Sequence, residues 1–180
     1  WSLWAFACGP KNKTTAVAKE TEHRGEAHKD DTESAKRAAR AFARAKSRKP
    51  DIFVRYRYRN AALRLQETIT LVSFGERGCM ERFRQRFFVR REISEIKRRC
   101  LTAKQWKNFQ QALDAAQVFK LAAAYPCKEK DDKRALQSLI VERQGQRKEI
   151  AAICIAGKSE VPKALDRLLR RIKQLAHDWK

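Results

Sequence analysis

Hydrophobic and polar positions follow different rules in different parts of the chain. Residues 1–8 are apolar and residues 9–31 are polar without periodicity, which predicts an extended arm over residues 1–31. Asp31-Thr32 offers an N-cap, and Glu33 to Lys46 is so rich in Ala and Arg that a helix is predicted there, closed near Pro50. Phe42 is its one bulky apolar residue, so this helix is expected to dock on something other than its own chain. From Asp51 the period drops to two. Val54, Tyr56 and Tyr58 alternate with Arg55, Arg57 and Arg59, the pattern of a strand with three arginines on one face. Thr68 to Phe74 is a second β-rich run ending at Gly75, and the two runs can pair as a small hairpin.

Helix is predicted for most of the remainder. From about Cys79 to Arg99 the apolar Phe83, Phe87, Phe88, Val89, Ile93 and Ile96 interleave with arginines as one or two basic amphipathic helices. Thr102-Ala103-Lys104-Gln105 matches a capping box that opens a helix to about Tyr125, stopped by Pro126. Asp131 or Asp132 can cap a further helix through Leu136, Leu139, Ile140 and Arg143, with Gly145 as a break before Ile150 to Ile155. After Gly157, Ser159 and Pro162, residues Leu165, Leu168, Leu169, Ile172, Leu175, Ala176 and Trp179 recur at helical spacing.

The fold expected is mostly α: basic helices, a short β-strand or hairpin element, an extended N-terminal arm and a C-terminal helical hairpin or small bundle. Its divisions are the arm (1–31), a basic helix with an Arg-rich strand (32–59), a strand with a second basic helix (60–101) and a helical region (102–180).

Charge sharpens this picture. The 42 Lys and Arg against 21 Asp and Glu leave a net charge of +21, a self-repulsion that points to a polyanionic partner, nucleic acid first and an anionic membrane surface second. Residues 36–59 carry ten basic residues and one acid, and residues 77–107 carry eleven and three, so contact with a polyanion is expected before residue 108. No apolar run approaches the roughly 20 residues that span a bilayer. The chain opens without Met, consistent with a removed leader or with numbering that starts inside a longer precursor.

Patterns that carry chemistry are few. There is no Gly-rich phosphate loop, GxSxG elbow, HExxH pair or spaced carboxylate motif, and so no catalysis, cofactor or small-molecule substrate is expected. His23, His28 and His177 are too sparse for a metal site. Cys8, Cys79, Cys100, Cys127 and Cys154 are odd in number and widely spaced, and they read as reduced, buried thiols in a reducing compartment.

The basic constellations carry more. Lys36, Arg40, Arg44 and Arg48 recur every four residues, about 6 Å apart along one helix face, close to the spacing of successive phosphates. Arg37 and Lys49 flank them. Arg55, Arg57 and Arg59 are expected to meet phosphates while Tyr56 and Tyr58 face a core. Arg82, Arg84, Arg86, Arg90, Arg91, Lys97, Arg98 and Arg99 form a third group, on the basic side of the second helical region.

Within that third group the stretch Leu71 to Cys100 resembles the small-subunit ribosomal protein family numbered twenty-one, found in bacteria and mitochondria. The resemblance rests on the extended Leu71 to Phe74, the step Arg82-Phe83-Arg84, and the run Ile93-Ser94-Glu95-Ile96-Lys97-Arg98-Arg99 at matching intervals. Where that family continues with an aromatic residue and a Lys-Pro step, this chain reads Cys100-Leu101-Thr102-Ala103-Lys104-Gln105. Val89-Arg90-Arg91 occupies the position of its usual break. The resemblance implies a place on the platform of the small subunit, near the 3′ end of its RNA.

The expected function is therefore a structural constituent of a mitochondrial ribosomal small subunit, located in the matrix. It binds rRNA through its Arg- and Lys-rich helices and neighbouring ribosomal proteins through its C-terminal helices. The alternative is an accessory, non-catalytic subunit of a mitochondrial membrane energy-conversion complex.

Overall fold

The computed structural model describes residues 23–88, 91–126, 136–154 and 161–178. In chain order these form α1 (His23–Ser47), β1 (Ile52–Asn60), β2 (Leu65–Phe74), β3 (Arg77–Phe87), β4 (Glu92–Cys100), α2 (Ala103–Ala116), a 3-10 turn (Val118–Lys120), β5 (Leu136–Arg143), β6 (Gln146–Cys154) and α3 (Lys163–His177). The strands make one antiparallel sheet in the order β4-β3-β2-β1-β5-β6. A four-strand meander thus receives the β5–β6 hairpin along the second edge of β1. Among the described residues no helix is long and apolar enough to cross a membrane.

The mostly α expectation is overturned by this sheet. Residues 79–99, expected to be basic helix, are two paired strands. The misreading has a physical cause: Phe83 and Phe87 lie four residues apart, a spacing that keeps them on one face of a helix and equally on one face of a strand. The decisive signal was the period of two in Arg82, Arg84 and Arg86, which alternate with Phe83, Gln85 and Phe87. The step Arg82-Phe83-Arg84 and the run Ile93 to Arg99, which carry the family resemblance, likewise lie in these strands. Leu136–Arg143, expected as helix, is β5; the proposed caps Asp131 and Asp132 lie outside the described residues. Gly145 does interrupt the chain, but as the hairpin turn between β5 and β6. Gln144 and Gly145 both have positive φ (51° and 80°), as a two-residue primed turn requires.

Other expectations agree with the structure. β1 and β2 pair as a hairpin, with Tyr56 opposite Ile69 and Arg57 opposite Thr68. Thr102 and Gln105 close the capping box of α2, each side chain bonding the other residue's backbone N–H. α2 is shorter than expected, ending at Ala116 where Gln117 turns left-handed (φ 44°). α3 buries Leu165, Leu168, Leu169, Ile172, Leu175 and Ala176; Trp179 lies outside the described residues. α1 starts at His23, inside the stretch read as an extended arm.

Two helices and one helix divide the sheet's faces. Trp106, Phe109 and Leu113 of α2 and the apolar stripe of α3 pack on Val54, Tyr56, Ile69, Leu71, Met80, Leu139, Val141 and Ile150, forming the main core. Trp106 lies so close over Gly78 that a Cβ there would overlap its ring, so this β3 position accepts glycine alone. The opposite face takes α1, whose small residues Ala38, Ala41 and Ala45, with Phe42, sit on Phe53, Val72, Cys79 and Cys100. The helix expected to dock elsewhere therefore docks on its own sheet. Alanines let it approach closely where a bulky stripe would have been easier to read.

A candidate nucleic-acid interface

α1 packs chiefly on the β4-β3-β2 portion of its face and on Phe53 of β1; Thr70 and Ile140, on either side of Arg55, are buried, and the face opens farther along β1, where Arg57 and Arg59 are exposed. The open area is organised by register. Arg55 lies between Thr70 of β2 and Ile140 of β5, Arg57 between Thr68 and Ser138, and Arg59 between Gln66 and Leu136. Successive arginines on a strand face are about 6.6 Å apart. Phe83 of β3 stands beside Thr68, and Ile96 of β4 beside Phe83. One line across the sheet therefore reads Ile96, Phe83, Thr68, Arg57, Ser138, with Ile96 at 56% exposure, which shows that α1 leaves it bare.

The three arginines differ in environment. Arg57 and Arg59 are exposed and form no ion pair among the described residues. A shallow groove of about 210 Å³ runs beside them, with Gln66, Leu136 and Ser138 on its walls. Arg55 is half-buried, its guanidinium 5.0 Å from the centre of the Phe53 ring. Burial, and then the charges of Arg57 and Arg147, push its pKa below the usual arginine value, against the opposing pull of Glu142 and Glu81. A guanidinium remains cationic under such a shift. The row is thus a set of like charges held close together, partly desolvated and open on one side.

The basic helix stands on the same side of the sheet. Lys36, Arg37, Arg40, Arg44, Arg48 and Lys49 are all exposed. Lys36 pairs with Glu33 at 3.2 Å, and Arg44 lies 4.8 Å over the ring of Phe74. Arg98 belongs to this face too, exposed but bound through Nε to Glu81 at 2.7 Å. The cations of α1, the row Arg55, Arg57 and Arg59, and Arg98 thus lie on the same side of the sheet, while Arg48 and Lys49 follow the end of α1 at Ser47.

The rest of the third group divides otherwise. Arg82, Arg84, Arg86, Lys97 and Arg99 point to the opposite face, toward α3. Arg82 is 7% exposed, donates from Nη1 to the Ala176 carbonyl at 2.7 Å, and lies 3.9 Å from Glu67 and 3.7 Å from Glu95. Arg99 donates to the carbonyls of Leu175 at 2.6 Å and Asp178 at 3.4 Å. These two cations close the C-terminus of α3, where helical carbonyls lack partners and the helix dipole favours positive charge. Both were expected among the RNA contacts; in the structure their guanidinium groups are engaged by the protein's own carbonyls. Arg84 is half-buried. Lys97 is held by Glu95 at 3.1 Å, and its hydrogen bond pulls the Glu95 carboxyl below the usual range. Arg86 and Arg91 are exposed at the far end of the β3–β4 hairpin, Arg91 at 5.5 Å over Phe88. Arg90 lies outside the described residues.

Two further features escaped the sequence. Cys79 and Cys100, directly opposed on β3 and β4, are joined as a disulfide with Cα atoms 3.8 Å apart. This corrects the reading of reduced thiols for that pair; only the register, invisible while both segments were taken as helix, brings them together. Under α3, Tyr56 donates to Gln137 Oε1 at 2.5 Å in a buried pair, and Lys173 lies 5.7 Å from the rings of Tyr56 and Tyr58. Burial raises the Tyr56 pKa far above the usual phenol value and lowers that of Lys173. Among the described residues no three His, Cys, Asp or Glu side chains are grouped to hold a metal. Thr68, Thr70 and Ser138 were overlooked as partners of the arginine row because only strand pairing sets them beside it.

Comparison with protein-family models finds no match to this chain, and neither does comparison with curated proteins.

Proposed function

We propose that the chain is a non-catalytic RNA-binding protein that takes a single-stranded or looped segment across the open part of its sheet. Arg55, Arg57 and Arg59 receive successive phosphates, the exposed cations of α1 extend the track, and Phe83 offers a ring against which a base can stack. The reading is carried by one observation: a strand-spaced arginine row, flanked by hydroxyls, on a sheet face that the protein's own helices leave open. Packing like charges side by side is unfavourable in an isolated protein and becomes favourable when a polyanion displaces its counterions onto them.

The narrower form of the proposal is a structural constituent of a mitochondrial ribosomal small subunit, with rRNA and ribosomal proteins as partners. It carries a condition, since disulfides persist mainly in oxidising compartments and the Cys79–Cys100 pair must survive where the protein works. The neighbours would have to be met by surfaces other than the apolar faces of α2 and α3, which are spent on the sheet. Co-sedimentation with small ribosomal subunits tests this form.

The broader proposal is tested by fluorescence anisotropy with a single-stranded RNA over a salt series. Replacing Arg57→Gln and Arg59→Gln together removes two phosphate contacts, so the slope of log K against log salt becomes shallower by about 1.4. An unchanged slope and affinity, with the protein still folded, refutes it.

A further inference from the structure

We infer that the Cys79–Cys100 disulfide is an exchange site for a small anionic thiol, which docks in the cleft between α1 and the β2–β3 turn and is carried as a mixed disulfide on Cys100. The bridge lies on the wall of a cavity of about 750 Å³, with Ser34 and Arg37 of α1, Arg77 of β3, and Thr102 and Trp106 at the start of α2 around it. That volume is in the range of small-molecule sites. The Cys100 N–H donates to Ser34 Oγ at 3.1 Å, which holds α1 beside the sulfur pair.

Charge decides the class of thiol. Arg37 and Arg77 are exposed on this cavity, and Arg40 and Arg44 join Arg77 along a second cleft of about 230 Å³ that Cys79 also lines. Arg37, Arg40 and Arg77 form no ion pair among the described residues. Of the acids on the cavity, Glu33 is held by Lys36 at 3.2 Å, and Glu76 is exposed in the turn. Thr102 and Ala103 bring the N-terminus of α2 to the same wall, and its first turn carries no acid, so the helix dipole also favours an anion there. The cations outnumber the one unpaired carboxylate, and a cationic thiol gains nothing from them.

The two sulfurs are not equivalent. Cys79 is 6% exposed whereas Cys100 is half-buried, so the incoming thiolate meets Cys100 first. Its sulfur bonds to Cys100 Sγ as the bridge breaks, and the electron pair leaves on Cys79 Sγ. Because Cys79 lines both clefts, the arginines of each stabilise that departing thiolate until solvent protonates it. A second thiol then attacks the mixed disulfide at the small molecule's sulfur, releasing a small disulfide and the Cys100 thiol. Two thiols are oxidised, and the protein bond takes up their two electrons and two protons. A bridge with this access exchanges with the thiol pool of its compartment instead of standing as a fixed staple.

The test uses the full oxidised chain and two small thiols of opposite charge, 2-mercaptoethanesulfonate and cysteamine, at low ionic strength. Opening of the bridge is followed by alkylation and mass mapping. The ratio of the two rates, taken against the same ratio for the urea-unfolded chain, cancels their unequal intrinsic reactivity. It should favour the sulfonate about tenfold or more, with the adduct on Cys100. Arg37→Gln with Arg77→Gln should remove most of that preference, whereas Lys163→Gln with Arg167→Gln, an equal loss of charge at exposed positions of α3, should keep it. Should the first variant melt early, the parent decides the matter, since its preference should fade as salt is raised toward about 1 M. A ratio near one, an undiminished preference in the folded Arg37 and Arg77 variant, a preference indifferent to salt, adducts chiefly on Cys79, or a bridge that opens only on unfolding overturns the inference.

Discussion

Arg82 offers a sharp division between structure and binding. Replacing it with Met keeps most of its volume but withdraws the guanidinium from a 7% exposed position. The Ala176 carbonyl loses its donor, and the Glu67 carboxylate, itself only 6% exposed and with Oε1 already lacking a hydrogen bond, loses its counter-charge. Stranding a buried carboxylate in this way costs about 3–5 kcal/mol. At roughly 2–4 °C per kcal/mol for a chain of this size, the thermal midpoint should fall by about 6 °C or more. Removing both charges, as Glu67→Gln with Arg82→Met, should return a large part of that loss, because the isolated charge is then gone. The exposed Arg59→Gln should stay within about 0.5 kcal/mol of the parent. Circular dichroism melts of the four proteins decide the matter. If Arg82→Met melts with the parent but loses RNA affinity as Arg57→Gln does, the architectural role assigned to Arg82 is wrong.

Three more outcomes are expected. Gly78→Ala drives a methyl into the Trp106 ring and should cost about 1–3 kcal/mol in urea unfolding, whereas Gly145→Ala, with open space around it, should report only the strain of a positive φ. Opening the Cys79–Cys100 bridge, whose partners are 21 residues apart, should cost about 3 kcal/mol, read as a melting shift with reductant that is absent in Cys79→Ser/Cys100→Ser; mass mapping after alkylation in intact cells or organelles tells whether the pair is joined there. Tyr56 keeps its proton in the fold after unfolded tyrosine, with its usual value of 10.0, has lost it. Its contribution is therefore complete below pH 10.0 and is lost above it, so alkaline melts of Tyr56→Phe should fall less steeply with pH than those of the parent.

Some of this architecture was legible in advance, and some could not be. β1 declared itself because Val54, Tyr56 and Tyr58 alternate strictly with arginines; α3 did so because its leucines repeat at helical spacing; and Thr102 with Gln105 made a cap that depends on local geometry alone. β3 and β4 were obscured because their arginines look equally natural on a helix and because Phe83 and Phe87 satisfy both periods. β5 failed for a related reason: Leu136, Leu139, Ile140 and Arg143 fit a helical stripe over so short a length that only pairing with β1 settles the matter. The arginine row could be named from its spacing, but its neighbours could not, since Thr68 and Ser138 reach it from strands on either side. Composition could not separate Arg82 and Arg99 from the exposed cations, since only the packing of α3 on the sheet brings its last carbonyls to their guanidinium groups.

The central position of β1 has a consequence for how the chain comes to be folded. One side of that strand is satisfied at once by β2, its immediate successor in the chain; the other waits for β5, whose synthesis comes only after β3, β4 and α2. Until then a nascent meander presents an unsatisfied inner edge, the kind of template that recruits foreign strands. Slow elongation, or truncation before Arg143, should therefore favour self-association, and the late hairpin acts as the seam that closes the molecule.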